Sequence, residues 1–372
     1  MDNDLLHLAA LHRIPGIGNV LIRQLISYAG SPSIAFFSGR ASLAKIPGIG
    51  SFFADSIVQN RDAKLKEAEA ELIRAMHLGS KLIHYLQPEY PARLKKIPDA
   101  PPILYIKGTF SFENPRILAV VGTRQASSYG KEAIEAFLDE LKVYKPVIVS
   151  GLAYGIDAHA HKTALQLGLE TWAVLGTALN QIYPSVHKPL AAKIVQSGGL
   201  LSEVPSDAKP EPSRFPERNR IIAGISDAVW VVEAKEKGGA LITARLGLDY
   251  FRDVFALPGD FRNPLSTGCN QLISSGSAGL AASGKELALA AGWTLPSTGD
   301  SENAGYFSKE IPDLHDEEER KVYQLLLDED LHLDELSWRS GIGINRLAGI
   351  LLNLEFSGFV RSIPGKKFGI RK

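Results

Sequence analysis

From residue 113 onward, short apolar runs alternate with amphipathic segments, most of them long enough for a helix. The runs are Ile117–Val121, Val147–Ser150, Trp172–Leu175, Leu200–Ser202, Ala228–Val232 and Val254–Leu257. Strands separated by helices cannot pair as tight hairpins. The crossovers bring the chain back in the same direction and lay helices on both faces of a parallel sheet. The pattern therefore predicts an α/β, doubly wound and mainly parallel sheet over residues 113–293. The alternation does not encode the order of the strands.

Two of these runs end in glycine signatures, Val121-Gly122-Thr123-Arg124 and Ser150-Gly151-Leu152-Ala153-Tyr154-Gly155-Ile156-Asp157. Doubly wound sheets bind ligands outside the carboxyl ends of their strands. That rule places Gly122-Thr123-Arg124, Gly151, Gly176-Thr177, Glu203 and Pro258-Gly259 along one sheet edge. Glycine there lets a phosphate reach backbone amides, and the Arg124 guanidinium supplies a charged donor. The competing reading is that the glycines only make tight turns. Two signatures opening successive helices favour an anion site built from Gly122, Thr123, Arg124, Ser150, Gly151 and Gly155. Further on, Phe215-Pro216-Glu217-Arg218-Asn219-Arg220 sets an aromatic ring beside two guanidinium groups. Single-stranded nucleic acid uses that pairing, since bases stack while cations track phosphates. The alternative has Phe215 buried and the arginines paired with Glu211 and Glu217. Lys188, with His187 after Tyr183-Pro184, extends the same basic rim.

Nucleotide-hydrolysing chemistry is not legible. The stretch from Gly279 to Lys285 approaches a phosphate-binding loop, but Glu286 stands where a Mg²⁺-binding hydroxyl would be needed. It reads instead as strand, Ser283 cap and helix. His159 and His161 diverge on a helix and cannot share a metal. Asp157 reads as a helix cap. Glu203 and Glu233 end strands, yet no Ser or His stands at a spacing that makes a catalytic set. No cofactor or metal is expected. Lys+Arg and Asp+Glu each number 41, so any nucleic-acid site must be a local concentration of cations. The single cysteine, Cys269, excludes an intrachain disulfide. No apolar run approaches the ~20 residues of a membrane span, and the acidic start has no signal-peptide character. A cytoplasmic protein is expected.

The flanks differ from the centre. Within residues 1–75, Ile14-Pro15-Gly16-Ile17-Gly18 recurs as Ile46-Pro47-Gly48-Ile49-Gly50 between helical patterns. This resembles a tandem helix-hairpin-helix (SAM-like) module, or else a plain helical bundle with glycine turns. Residues 76–112 read as a strand-bearing bridge, and 294–312 as a linker rich in Pro, Ser, Gly, Asp and Asn. Over 313–372, three helical patterns (Glu317–Leu327, Asp334–Ser340, Ile344–Phe356) precede a hairpin of Phe359–Ile363 and Lys367–Ile370, an order that resembles a winged helix. Its third helix holds only Arg346 as a cation, whereas the hairpin region holds Arg361, Lys366, Lys367, Arg371 and Lys372. So poor a helix is a weak groove reader.

The ordered motifs VVGTR (120–124), SGLAYGIDAHAH (150–161), LGTALNQIYP (175–184), LLSEVP (200–205), FPERNRIIAGIS (215–226), EAKEKGGALITAR (233–245) and FALPGDFRNPLSTGCNQLISSGSA (255–278) resemble the DNA-processing protein A (DprA/Smf) family. The resemblance implies a Rossmann-like central domain between a helical and a winged-helix domain. It also implies a non-enzymatic protein that binds and protects single-stranded DNA, helps load the RecA recombinase in natural transformation, and dimerises through the central domain. By position the family's arginine falls on Arg124, and its basic residue near the Tyr-Pro turn falls approximately on Lys188. Where the family usually has Ser-Gly, Lys237-Gly238-Gly239 stands here, so the amide of Gly239 remains available. Two other readings are a phosphoribohydrolase-like enzyme, echoed by Gly238-Gly239-Ala240-Leu241-Ile242-Thr243 but lacking a carboxylate at Ala244-Arg245, and a duplex-DNA adaptor working through the terminal modules.

Overall fold

The computed structural model describes residues 2–295, 316–328, 331–357, 359–363 and 367–370. They fall into two compact units, Met1–Pro296 and Ser297–Lys372. Most of the 294–312 segment, the Pro364-Gly365-Lys366 turn and the basic pair Arg371-Lys372 lie outside the described residues.

The first unit opens with five helices: α1 (Asn3–His12), α2 (Asn19–Ala29), α3 (Pro32–Phe37), α4 (Arg40–Leu43) and α5 (Gly50–His77). The sequence repeat becomes a structural one. Gly16 and Gly48 turn with φ of 80° and 79°, a conformation that costs glycine nothing. The helices that follow start within one residue of equivalent places, α2 behind Gly18 and α5 behind Ile49. These helices are fixed to the sheet by polar contacts as well as apolar ones. The buried Glu71 carboxylate accepts from Tyr105 Oη at 2.8 Å and from the Ser206 amide at 2.9 Å, and Arg13 donates to Asp207 at 2.8 Å.

The sheet follows, through β1 (Lys81–His84), α6 (Ala92–Lys95), β2 (Ile103–Gly108), β3 (Ile117–Val121), α7 (Ser128–Leu141), β4 (Val147–Ser150), α8 (Ile156–Gln166), β5 (Thr171–Val174), α9 (Lys188–Gln196) and β6 (Gly198–Ser202). It continues through α10 (Arg214–Ile225), β7 (Ala228–Val231), α11 (Gly239–Asp249), β8 (Asp253–Ala256), α12 (Thr267–Ser274), β9 (Gly279–Leu280) and α13 (Gly284–Ala290). The strands lie in the order β1-β2-β6-β5-β4-β3-β7-β8-β9. The six expected strands are present to within two residues at each end and run parallel. The 76–112 segment is built into this sheet, because β1 and β2 extend it antiparallel beyond β6. The chain steps outward from β3 to β6 on one side, then returns to place β7 on β3's other flank. The switch point therefore lies between β3 and β7.

The central strands are apolar runs because both faces are covered. Every residue of β3 and β4 is buried. On α7, Ile134, Phe137, Leu138 and Leu141 recur at helical spacing and face the sheet, with Phe137 stacked on Trp230 at 4.4 Å. Burying one such side chain contributes about 1.5–3 kcal/mol. The Gly279–Lys285 stretch forms β9, the Ser283 cap (Oγ accepting from Glu286 N at 3.2 Å) and α13. Asp157 is not the cap that the sequence suggests. Gly155 stands at that position with φ of 75°, and Asp157 sits buried inside the first turn. A Cβ on Gly155 would stand 2.3 Å from the carbonyl oxygen of Thr123, so no other residue lets this loop pass the neighbouring one.

The second unit contains α14 (Glu317–Asp328), β10 (Leu331–His332), α15 (Leu333–Ser340), α16 (Ile344–Phe356), β11 (Val360–Ile363) and β12 (Lys367–Ile370), its strands ordered β10-β12-β11. Val322, Leu326, Leu336, Leu347, Ile350, Leu351 and Leu354 form its core. Three helices and a small antiparallel sheet give the expected winged-helix layout.

Candidate nucleic-acid interface

A cleft of about 410 Å³ opens at the switch point. Its walls are the loop after β3 (Gly122 to Gln125), the loop after β7 (Ala234 to Gly238), the start of α11 and one side of α10. Helix α11 begins at Gly239 with no side chain capping it, so its first amides and the positive end of its dipole face the cleft. A Cβ on Gly239 would meet nothing within 4 Å, so its backbone is open to an incoming group. Arg124, Lys235 and Lys237 are exposed around this point, and among the described residues none of the three has a carboxylate within ion-pair distance. Phe215 and Asn219 line the α10 side, both half-buried. The Phe215 ring also leans on Tyr183, with centroids 5.3 Å apart.

The loops are held by contacts across the sheet. Thr123 donates its amide to the Glu233 carbonyl at 2.8 Å, and its own carbonyl accepts from Ile156 N at 3.1 Å. The buried Glu233 carboxylate accepts from the hydroxyl of Ser127 and, at 3.0 Å, from its amide. That carboxylate anchors the loop bearing Arg124 to the end of β7.

Several expected phosphate ligands have packing roles in the structure. Ser150 is fully buried and donates to the Val120 carbonyl at 2.6 Å. Gly122 is packed under Ile156, and a Cβ there would stand 2.5 Å from that side chain. At Gly151 a Cβ would strike the Arg218 guanidinium at 2.3 Å. These residues shape the loops, and the glycine with an open backbone is Gly239.

Arg218 and Arg220 are corrected as well. Arg218 is only 6% exposed; Nη1 donates to the carbonyls of Gly151, at 2.7 Å, and Val174. Burial pushes its guanidinium down to about 10, partly offset by Asp157. Burial likewise raises the Asp157 carboxyl, and Arg218 pulls it back. Arg218 therefore lines the cleft as a charged strut, its guanidinium held by backbone carbonyls. Arg220 turns to the other side of α10, where it donates to Glu203 and lies 3.7 Å from Asp99. Neither arginine pairs with Glu211 or Glu217; Glu211 takes Arg214 at 3.0 Å. Glu203 also accepts from Asn19 Nδ2 at 3.2 Å, so the start of α2, the first hairpin's exit, faces a carboxylate. Lys188 is exposed at the start of α9 but does not line the cleft.

His161 is buried and hydrogen-bonded through Nδ1 to Thr171 Oγ1 at 2.7 Å, while His159 meets Glu135 at 2.8 Å. They share no ligand position. Cys269 is buried under β7, and burial pushes its thiol up to about 12. Among the described residues no helix is long and apolar enough to cross a membrane. Sequence reasoning missed Lys235 and Lys237 as partners of Arg124. The run Glu233-Ala234-Lys235-Glu236-Lys237 looks charge-balanced, and only the pairing of β7 with β3 carries its lysines to Arg124.

The chain has known relatives. The family model described as DNA recombination-mediator protein A matches residues 81–291, and a DprA winged helix domain model matches residues 308–366. Protein Smf of Escherichia coli (strain K12) is 38% identical over 297 residues, covering 78% of each chain. The DNA processing protein DprA of Streptococcus pneumoniae is 43% identical over 198 residues, 53% of this chain and 70% of that one. The X-ray structure of Streptococcus pneumoniae DprA superposes with a TM-score of 0.67 at 35% identity, over 80% of this chain and 100% of its own. A structure of DNA processing protein A from Helicobacter pylori, described as revealing a unique single-stranded DNA binding mode, gives 0.52 at 28% identity over 58% of this chain and 97% of that one. With the Rossmann-like sheet and the winged-helix unit in place, the family models and these relatives identify the chain as a member of the DNA recombination-mediator protein A family.

Proposed function

We propose that the chain binds single-stranded DNA at the cleft between β3 and β7 without chemically altering it. One observation carries this reading: three exposed cations, without ion-pair partners among the described residues, surround the uncapped start of α11, beside the Phe215 ring. Phosphates would lie against Arg124, Lys235, Lys237 and the Gly239 amide, and a base would stack on Phe215. The Helicobacter pylori relative, described by its single-stranded DNA binding mode, supports the same choice of ligand. The reading as a binder rather than an enzyme rests on the strand-end carboxylates. The Glu233 carboxylate is taken up by the hydroxyl and amide of Ser127, which it uses to anchor a loop, and Glu203 by Arg220 and Asn19, so both are engaged in holding the fold. Protection of incoming DNA, loading of the RecA recombinase in natural transformation, assembly as a homodimer and a cytoplasmic location complete the proposal, on family grounds.

The test is a titration of single- and double-stranded oligonucleotides across salt. Tighter binding of single strands, falling steeply as salt rises through counterion release, is the expected result. Preference for duplex would favour the adaptor reading. Release of free base from a nucleoside monophosphate would favour the enzyme reading.

A further inference from the structure

Strands β5, β4, β3, β7 and β8 are consecutive neighbours and all parallel, so the loops that follow them emerge side by side at one edge. With strands about 4.8 Å apart, that edge spans about 19 Å. Each strand end sets an exposed ring or an unpaired cation on it. Tyr183 follows β5 at 57% exposed, Tyr154 follows β4 at 50%, and Tyr129, at the start of the helix after β3, is 43% exposed. The loop after β7 brings Lys235 and Lys237, and the loop after β8 brings Phe261, 85% exposed. Apolar rings so exposed cost solvation free energy unless something covers them. Their contacts position them on their outer loops: Tyr129 Oη donates to the Pro258 carbonyl at 2.6 Å, Tyr154 packs edge-on against His187, and the Arg262 guanidinium lies 5.6 Å from the Phe261 centroid.

We infer that this row of rings and cations is an extended track for one nucleic-acid strand, running across the strand ends from Tyr183 to Phe261 with the cleft at its centre. The inference rests on the single-strand reading of that cleft. Exposed rings on both sides of a central cluster of cations suit a ligand that carries both bases and phosphates. Only an unpaired strand offers base faces to such rings, since a duplex stacks them inside itself. The cleft supplies the tightest phosphate contacts. The flanking rings add one stacked base each and lengthen the binding site toward β5 and toward β8.

The experiment titrates the full-length chain with oligothymidylates from about 4 to about 16 nucleotides long, the range over which such sites fill. Phe261→Ala and Tyr154→Ala remove rings outside the cleft, and Phe261→Trp and Tyr154→Phe keep a ring in place. Wild-type affinity should rise with length, and each alanine variant should lose about five- to tenfold on the longest strand while binding the shortest as wild type does. The ring-preserving variants should behave as wild type. If both alanine variants match wild type at every length while Arg124→Ala loses binding, the track is overturned and the cleft stands. If no strand of any length binds the wild type, both fall. A change in oligomeric state without a change in DNA affinity would assign the rings to a protein surface and overturn the track.

Discussion

The switch-point cleft and the third helix of the C-terminal unit are both places where nucleic-acid-binding folds put contact residues, and they are equipped in opposite ways. Around the cleft, Arg124, Lys235 and Lys237 stand exposed without ion-pair partners among the described residues. On α16 the one cation, Arg346, is bonded to Glu318 at 2.8 Å and lies 3.5 Å from Asp316. The exposed side of α16 also carries the apolar Ile344, Leu352 and Phe356. Charge on an element is therefore different from charge available to a ligand. Arg218 and Arg220 make the same point inside the first unit, where burial and internal acceptors take both out of play.

The comparison breaks first, and with the largest effect, at Arg218. If it is a strut, Arg218→Met should destabilise the fold by about 3–5 kcal/mol, because Asp157 and two carbonyls lose their buried partner. Chemical denaturation measures this. Lost DNA affinity in a variant of unchanged stability would return Arg218 to the list of ligands. Next, Arg124→Ala should weaken single-strand binding by about 1.5–3 kcal/mol, roughly ten- to hundredfold, equally for all sequences, and should lower the salt slope by about one. Unchanged affinity in a folded variant would remove Arg124 from the site.

A smaller effect, in stability against pH, follows from the buried surroundings of Arg218. His161 is pushed down to about 3 by burial first, then by the charges of Arg218 and His187. Below an unfolded value near 6.5 the unfolded chain binds a proton that the folded one refuses. The stability that His161 supplies is thus complete above 6.5 and declines as pH falls toward 3, by about 1.4 kcal/mol per unit. His161→Gln should flatten that acid limb in thermal melts taken across pH, and an unchanged slope would show that the imidazole is not held neutral. The smallest effect is expected at Arg346, where alanine should leave single-strand affinity unaltered in the same titration. A clear loss there would make α16 a DNA reader and erase the contrast between the two regions.

Much of the architecture was legible in local pattern. Apolar runs five residues or shorter marked the parallel strands, and the repeated Ile-Pro-Gly-Ile-Gly marked two equivalent turns. The C-terminal order of helices and hairpin strands matched its elements closely. These features are local, because backbone preference and burial periodicity act over a few residues. The site was only partly legible. Arg124, Phe215, Asn219 and Arg218 line the cleft, Arg218 with its guanidinium held by backbone carbonyls, whereas Ser150 and Arg220 are turned into bonds away from it.

By itself, the sequence determined the alternation of strand and helix, the glycine turns and the supply of cations near strand ends. Only the tertiary structure decided which of them share one place. Setting β7 against β3 brought Lys235 and Lys237 to Arg124, a pairing made across the sheet that no local pattern encodes. The setting of α10 decided the rest. Successive helical residues point about 100° apart, so Arg218 and Asn219 line the cleft, Arg218 with its charge held internally, and Arg220 faces away. Which does which depends on partners such as Glu203, 17 residues upstream, that only the fold brings near.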